Sequence, residues 1–245
     1  MDVKVNLILL FDEDFTRMAP DRASGRVSLV GRRREHVCSI HRAAVGDELC
    51  VGLAGGTMGH GRVVLLNDDS LELDVELDTD PPAALPVQLV LAMPRPLVLK
   101  RVLISATAMG VKKIFLIQSN RVERSFWNSK ALRDGERNKP LILGLEQAKD
   151  TIVPELELRT RFRPFVEDEL PAIIKGTRAL VAHPETDVPC PRALQEPVTL
   201  VMGPEGGFVP FEIEKLEAIG CSVVHLGERI LRVETALPAL LARLF

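Results

Sequence analysis

Apolar and polar residues alternate over short runs in the first third of the chain. The runs "VNLILLF", "GRVSLV", "DELCVGL", "GRVVLL" and "LELDVEL" are each six or seven residues long and are separated by turn-type residues. Period-two alternation of this kind predicts half-buried strands. Five such strands with no helix between them predict a small β-barrel and argue against a βαβ unit. The stretch "DTDPPAALP", residues 78–86, carries three prolines and marks a boundary.

The rhythm changes beyond that point. "VQLVLAMP" predicts a buried strand, "LVLKRVLISATAMG" a helix ending at Gly110, and "VKKIFLIQS" another strand. Residues 128–150 read as helical with a break at Pro140. "RALVAH", "VTLVMG" and "CSVVHL" read as strands. "PFEIEKLEAIG" has Pro210 in its first turn and Gly220 past its end, where helix signals belong. "VETALPALLARLF" predicts a closing helix. Alternating strands and helices predict a mostly parallel α/β sheet covered on both faces.

Composition narrows this picture. The chain has 245 residues, of which 46% are hydrophobic and 27% charged, the profile of a globular protein with one large domain or two modest ones. Its four cysteines are far apart with no C-x-x-C pair, which predicts reduced thiols in a cytoplasmic protein. "VNLILLF" is followed at once by "DED", so neither an export signal nor a membrane anchor is expected. The histidines fall in no metal-ligand spacing, so no metal is expected. The net charge is only −3, but its distribution is uneven. Seven arginines face two acids between Arg17 and Arg42, seven acids and no base lie between Asp68 and Asp80, and ten Lys/Arg face three acids between Lys100 and Lys139. Two basic segments around an acidic one suggest a polyanion-binding face, or else solvated faces. With no Tyr and one Trp, a broad base-stacking surface is disfavoured.

Three glycine-containing loops compete as ligand sites. "GLAGGTMGHG" lies between two strands, and a pyrophosphate would need a helix N-terminus there, so it reads as a turn. "GPEGGF", Gly203 to Phe208, has a strand before it and a helix after it. It lacks the lysine of a phosphate loop, and Glu205 would repel a phosphate at close range. "HLGERILRVETA" again follows a strand and precedes a helix, bringing Arg229 and Arg232. In a parallel sheet both loops would line one crevice.

"MGPEGGF" followed by "LGERILRVETA" resembles the signature of the RsmE family of 16S ribosomal RNA (uracil-N3) methyltransferases, a branch of the SPOUT, or trefoil-knotted, superfamily. "EHVCSIHRAAVGDELCVGL", "LKRVLISATAMGVKKIFLIQSNRVER" and "LEQAKDTIVPELE" extend the resemblance over nearly the whole chain. It implies a PUA-like, RNA-binding β-barrel over residues 1–80 and a SPOUT methyltransferase domain with a C-terminal knot over residues 86–245. It also implies S-adenosylmethionine as methyl donor, a homodimer, and 16S rRNA in the assembled small ribosomal subunit as partner.

Carried onto this chain, the resemblance places the donor among Leu180, Ala182, Val201, Met202, Gly203 and Glu205, with Gly206 and Gly207 giving clearance. Leu226, Gly227, Ile230 and Leu231 complete that set. Arg232 is the expected cation facing the target base, and Glu205 the expected base or positioning group. Arg22, Arg26, Arg32, Arg33, Arg34, His36 and Arg42 are the expected RNA contacts. Two positions depart from the family pattern: Ala108 stands where a Glu is usual, and Asp150 where an Arg is usual. The alternatives are a SPOUT enzyme with another RNA target and a non-catalytic RNA-binding assembly factor.

Overall fold

A computed structural model describes residues 6–41 and 43–245, apart from the side chains of Arg32, His36, Ile40 and His41. Of the expected RNA contacts, Arg42 and the side chains of Arg32 and His36 therefore lie outside the described residues. The chain divides into two compact units, residues 1–83 with 145–153, and residues 84–144 with 154–245.

The first unit is built on β1 (Ile8–Leu10), β2 (Phe15–Met18), β3 (Ser24–Val30), β4 (Glu48–Leu53), β5 (Met58–Leu66) and β6 (Ser70–Thr79). Among the described residues these six strands form one sheet in the order β1-β4-β5-β6-β3-β2. The end strands β1 and β2 are not paired with each other, so the sheet is open where a closed barrel was expected. Alternation works as the pattern predicts. Leu71, Leu73, Val75 and Leu77 of β6 are buried, while Asp74, Glu76 and Asp78 between and beyond them are exposed.

The glycine-rich stretch read as a long turn is mostly strand. The chain turns only over residues 54–57, and Gly59 and Gly61 belong to β5. A Cβ on Gly59 would lie 1.9 Å from the Glu76 carbonyl oxygen, so that residue lets β5 and β6 close up. Helix α1 (Gly31–His36) and a π-helical turn (Val37–His41) follow β3, anchored by the buried Val37. The segment Leu145–Val153 belongs to this unit: Glu146 O accepts the Leu7 N–H at 2.9 Å and Thr151 O the Gly55 N–H at 2.8 Å. Asp150, one of the two departures from the family pattern, is buried, and its carboxylate accepts the Ile152 N–H at 2.9 Å.

The second unit contains β7 (Val87–Ala92), α2 (Pro96–Ala108), β8 (Lys113–Ile117), β9 (Glu155–Arg159), β10 (Arg178–Ala182), β11 (Val198–Met202) and β12 (Ser222–Val224). Among the described residues the sheet order is β12-β10-β11-β7-β8-β9, and every pairing is parallel. Central strands such as "VTLVM" are buried at every position, as a parallel sheet with little solvent contact requires.

Residues 124–132 form two 3-10 turns, and α3 (Lys139–Ala148) begins only at Lys139. Pro140 therefore sits in a first turn, where its missing N–H costs nothing, and does not break a longer helix. After β9 come α4 (Phe162–Pro164), a π-helical turn (Phe165–Glu169) and α5 (Leu170–Ile173). α6 (Pro210–Ala218) and α7 (Val233–Leu244) complete the unit. Val233, Leu237, Leu240, Leu241 and Leu244 form the buried stripe of α7, and Arg101 on α2 meets its Glu234 at 3.8 Å.

All four cysteines are free, and burial pushes the Cys221 thiol up to about 11. Among the described residues no helix is long and apolar enough to cross a membrane, and no group of three or more His, Cys, Asp or Glu is placed to hold a metal.

Candidate active site

Strand register brings three loops together. Ala182, the last residue of β10, pairs with Met202 of β11 on one side and Val224 of β12 on the other. The loops that leave these strand ends surround one cleft of about 600 Å³. Ligands of open α/β sheets bind at this carboxyl edge of the strands.

Ten of the residues expected at the donor site line the cleft: Ala182, Met202, Gly203, Glu205, Gly206, Gly207, Leu226, Gly227, Ile230 and Leu231. Leu180 and Val201 do not. Both are fully buried inside the sheet, below the rim, and support the cleft without facing it. Arg232 is not part of the lining either. It is the exposed N-cap of α7, between the lining residues Leu231 and Val233, and it makes no ion pair among the described residues. Neither Glu205 nor Glu234 holds it, since Glu234 meets Arg101.

The "GPEGG" loop is clamped from two sides. Glu205 Oε1 accepts the backbone N–H of Arg95 at 3.0 Å, and Arg95 is the N-cap of α2. A carboxylate there also meets the positive end of the helix dipole. From the other side, the Arg121 guanidinium donates to the Gly206 carbonyl oxygen. The glycines divide two tasks. Gly206 makes room for Arg121, whose Cδ would lie 3.0 Å from a Cβ at that position. Gly207 has φ +72°, a conformation that suits glycine, and a Cβ there would meet His183 Cε1 only at 3.9 Å.

In the second loop, His225 Nδ1 accepts the Gly227 N–H at 2.9 Å, which fixes that nitrogen as the acceptor. His183 and Phe208, at the ends of loops the sequence singles out, also line the cleft, whereas sequence reasoning missed Arg121. Arg121 and Gly206 are 85 residues apart, and only the folded topology makes them neighbours.

Four of the expected RNA contacts, Arg22, Arg26, Arg33 and Arg34, are ion-paired within the first unit. Arg26 is bidentate to Asp74 at 2.8 and 2.9 Å, directly opposite in the β3–β6 register. Arg33 is bidentate to the buried Asp14, Arg22 pairs with Asp12, and Arg34 lies 3.6 Å from Asp68. The acidic run that looked like a spacer between basic segments supplies partners for Arg26 and Arg34.

This site defines a class: an α/β protein with a nucleoside-sized, apolar-walled cleft at a parallel sheet edge. Residues 81–245 match the family described as the RNA methyltransferase domain, and the chain belongs to that family. It is similar to ribosomal RNA small subunit methyltransferase E of Treponema pallidum, with 27% identity over 206 residues, 82% of this chain and 77% of that protein. The protein of the same name from Mycobacterium bovis is 26% identical over 220 residues, 87% of this chain and 84% of that one. In fold, the chain is similar to a ribosomal RNA small subunit methyltransferase E from Neisseria gonorrhoeae solved bound to S-adenosyl methionine. The TM-score is 0.73 at 20% identity, covering 97% of this chain and 95% of that one.

Proposed function

We propose that the chain is an S-adenosylmethionine-dependent methyltransferase of 16S rRNA, acting on N3 of a uridine in the assembled small subunit. The observation that carries this reading is the cleft lined by three strand-end loops in a chain of an RNA methyltransferase family. The cleft suits the donor. Met202, Leu226, Ile230 and Leu231 give apolar walls for an adenine, and the glycine loops offer backbone groups to its ribose. When bound, the donor supplies an electrophilic methyl group. The proteins of the same name in Treponema and Mycobacterium, and the donor-bound Neisseria structure, support the substrate and the donor.

The remaining demands fall on the chain's own residues. Uracil N3 carries a proton at neutral pH, and its loss spreads negative charge onto the two ring oxygens. A fixed cation aimed at those oxygens favours that state. Arg232, unpaired and on the edge of the cleft, is assigned this role, because a guanidinium stays charged and presents several donors. Glu205 is assigned to positioning, since one of its oxygens already holds Arg95.

We read the second unit as the knotted SPOUT domain, supported by β11 lying between β10 and β7. The first unit is read as a PUA-like module, and the protein as a cytoplasmic homodimer. Ile230, 83% exposed on a cleft loop, is the kind of apolar group a second copy would cover.

The test is methyl transfer from labelled donor to small subunits and to naked rRNA from cells lacking the activity, with mapping of the modified base. Label is expected on uridine N3, and label on another base overturns the substrate. Arg232→Ala is expected to cut transfer ~100-fold with donor affinity nearly unchanged. Near-normal turnover in that variant removes the assignment.

A further inference from the structure

A second concave surface lies in the same unit, at the carboxyl ends of β8 and β9 and beside the first turn of α6. It is a groove of about 650 Å³, separate from the cleft, and Ser119, Arg124, Trp127, Arg161, Arg163 and Phe211 line it. Three observations point to an anionic ligand with a planar ring.

The first is charge. Arg124 and Arg161 are exposed and have no ion-pair partner among the described residues. Arg163 has Glu167 at 3.4 Å, but Lys215 also holds that carboxylate, at 2.8 Å. The acid in the groove wall, Glu212, is buried and has both oxygens engaged. Oε1 accepts the Asn120 N–H at 2.7 Å and Oε2 the Val209 N–H at 3.0 Å. Free guanidinium groups arranged around satisfied neighbours suit phosphate oxygens.

The second is an orphaned hydroxyl. Ser119 is 2% exposed, and its Oγ has no hydrogen-bond partner among the described residues. Buried polar groups are rarely left so, and this one belongs to a residue of the groove wall.

The third is ring surface held in place. The Trp127 indole N–H donates to Gln118 Oε1, and the Gln118 amide donates to the carbonyl oxygens of Ser119 at 2.7 Å and Val122 at 2.9 Å. Phe211 is 45% exposed on the facing helix. Immobilised aromatic surface beside cations binds nucleic-acid bases without sequence preference. A chain poor in aromatics has placed its one tryptophan here.

The groove adjoins the cleft. The loop after β8 gives Arg121 to one and Arg124 to the other, and α6 gives Ile213 to one and Phe211 to the other. We propose that this groove is a second RNA subsite, holding a nucleotide that flanks the one entering the cleft. Its phosphate lies at Arg124 and Arg161, and its base against Trp127 and Phe211. The assignment rests on the reading of the chain as an RNA methyltransferase.

The test is filter binding of naked small-subunit rRNA over a range of salt, with donor affinity measured in parallel by calorimetry. The double variant Arg124→Glu with Arg161→Glu is expected to raise the RNA Kd at least ~10-fold and to flatten the slope of log K against log salt by roughly 1.5 to 2. Donor affinity stays unchanged, and the double lysine variant recovers most of the RNA affinity. Trp127→Leu weakens binding ~10-fold with the slope unaltered. An unchanged Kd and slope in the charge-reversed variant overturns the subsite. So does a change in its sedimentation, which would show that the face covers a second copy. Failure of the methyltransferase reading looks different: wild-type chain transfers no methyl group to any RNA, while the RNA Kd still decides the groove.

Discussion

Glu205 shows how one residue can be conspicuous in a sequence while its purpose is not. A carboxylate among glycines excludes a phosphate cradle, and that much follows from charge alone. Its partner, the Arg95 N–H, lies 110 residues earlier, so no local pattern could reveal it. If Glu205 ties the loop to the start of α2, Glu205→Gln keeps an acceptor oxygen and stays within ~3-fold of wild-type turnover. Glu205→Ala frees the Arg95 N–H and raises the KM for the donor ~10-fold or more. Steady-state kinetics on both variants decide it. A general base would behave differently, with the glutamine variant losing ~100-fold in kcat. Arg121 was hidden for the same reason, because its contact with Gly206 exists only after β8 and β11 join one sheet.

Most strands and helices with clear periodicity were legible as elements, whereas β2 and α1 were not. β2 is four residues long, and α1 lies within the "RRR" run, where charge masked the helical register anchored at Val37. Two consequences belong to the paired strands. Gly59→Ala would drive a methyl group into the Glu76 carbonyl oxygen, so β5 and β6 must separate. A loss of about 1–3 kcal/mol in urea unfolding is expected.

Across β3 and β6, hydrogen bonds from Arg26 hold the Asp74 carboxyl below its ordinary range. The folded chain therefore binds that proton less readily than the unfolded chain. The pair favours folding above the unfolded value of roughly 4, and the advantage vanishes as pH falls through the lower folded value. The urea midpoint should drop between pH ~6 and pH ~3, and Asp74→Asn should reduce that drop. The effect is modest, because both groups are exposed to solvent. Opposite charge runs in a sequence can thus be cross-strand partners.

At the scale of the molecule, a change from strand runs to alternating strands and helices near residue 80 is visible in the sequence, and the main segment of the first unit ends at Ala83. What could not be read was the return of Leu145–Val153 to the first unit, because nothing in "LEQAKDTIV" differs from an ordinary helix end and connector. That return makes a sharp prediction. A fragment ending at Ala83 loses the partners of the Leu7 and Gly55 N–H groups and the Thr151 hydroxyl bound to Gly56. Leu7 is buried, and an unpartnered buried N–H costs about 1–3 kcal/mol, so the fragment should unfold at lower urea than the whole chain, and a peptide spanning 145–153 should restore part of the difference.

The same return sets a timetable for synthesis. Residues up to Ala83 leave the ribosome before the segment that completes their unit has been made. At a synthesis rate of about 5–20 residues per second, the nascent sheet waits on the order of several seconds with that place unfilled. The N-terminal unit of this chain starts to emerge before the other, yet it closes only after the first part of that other unit has been made.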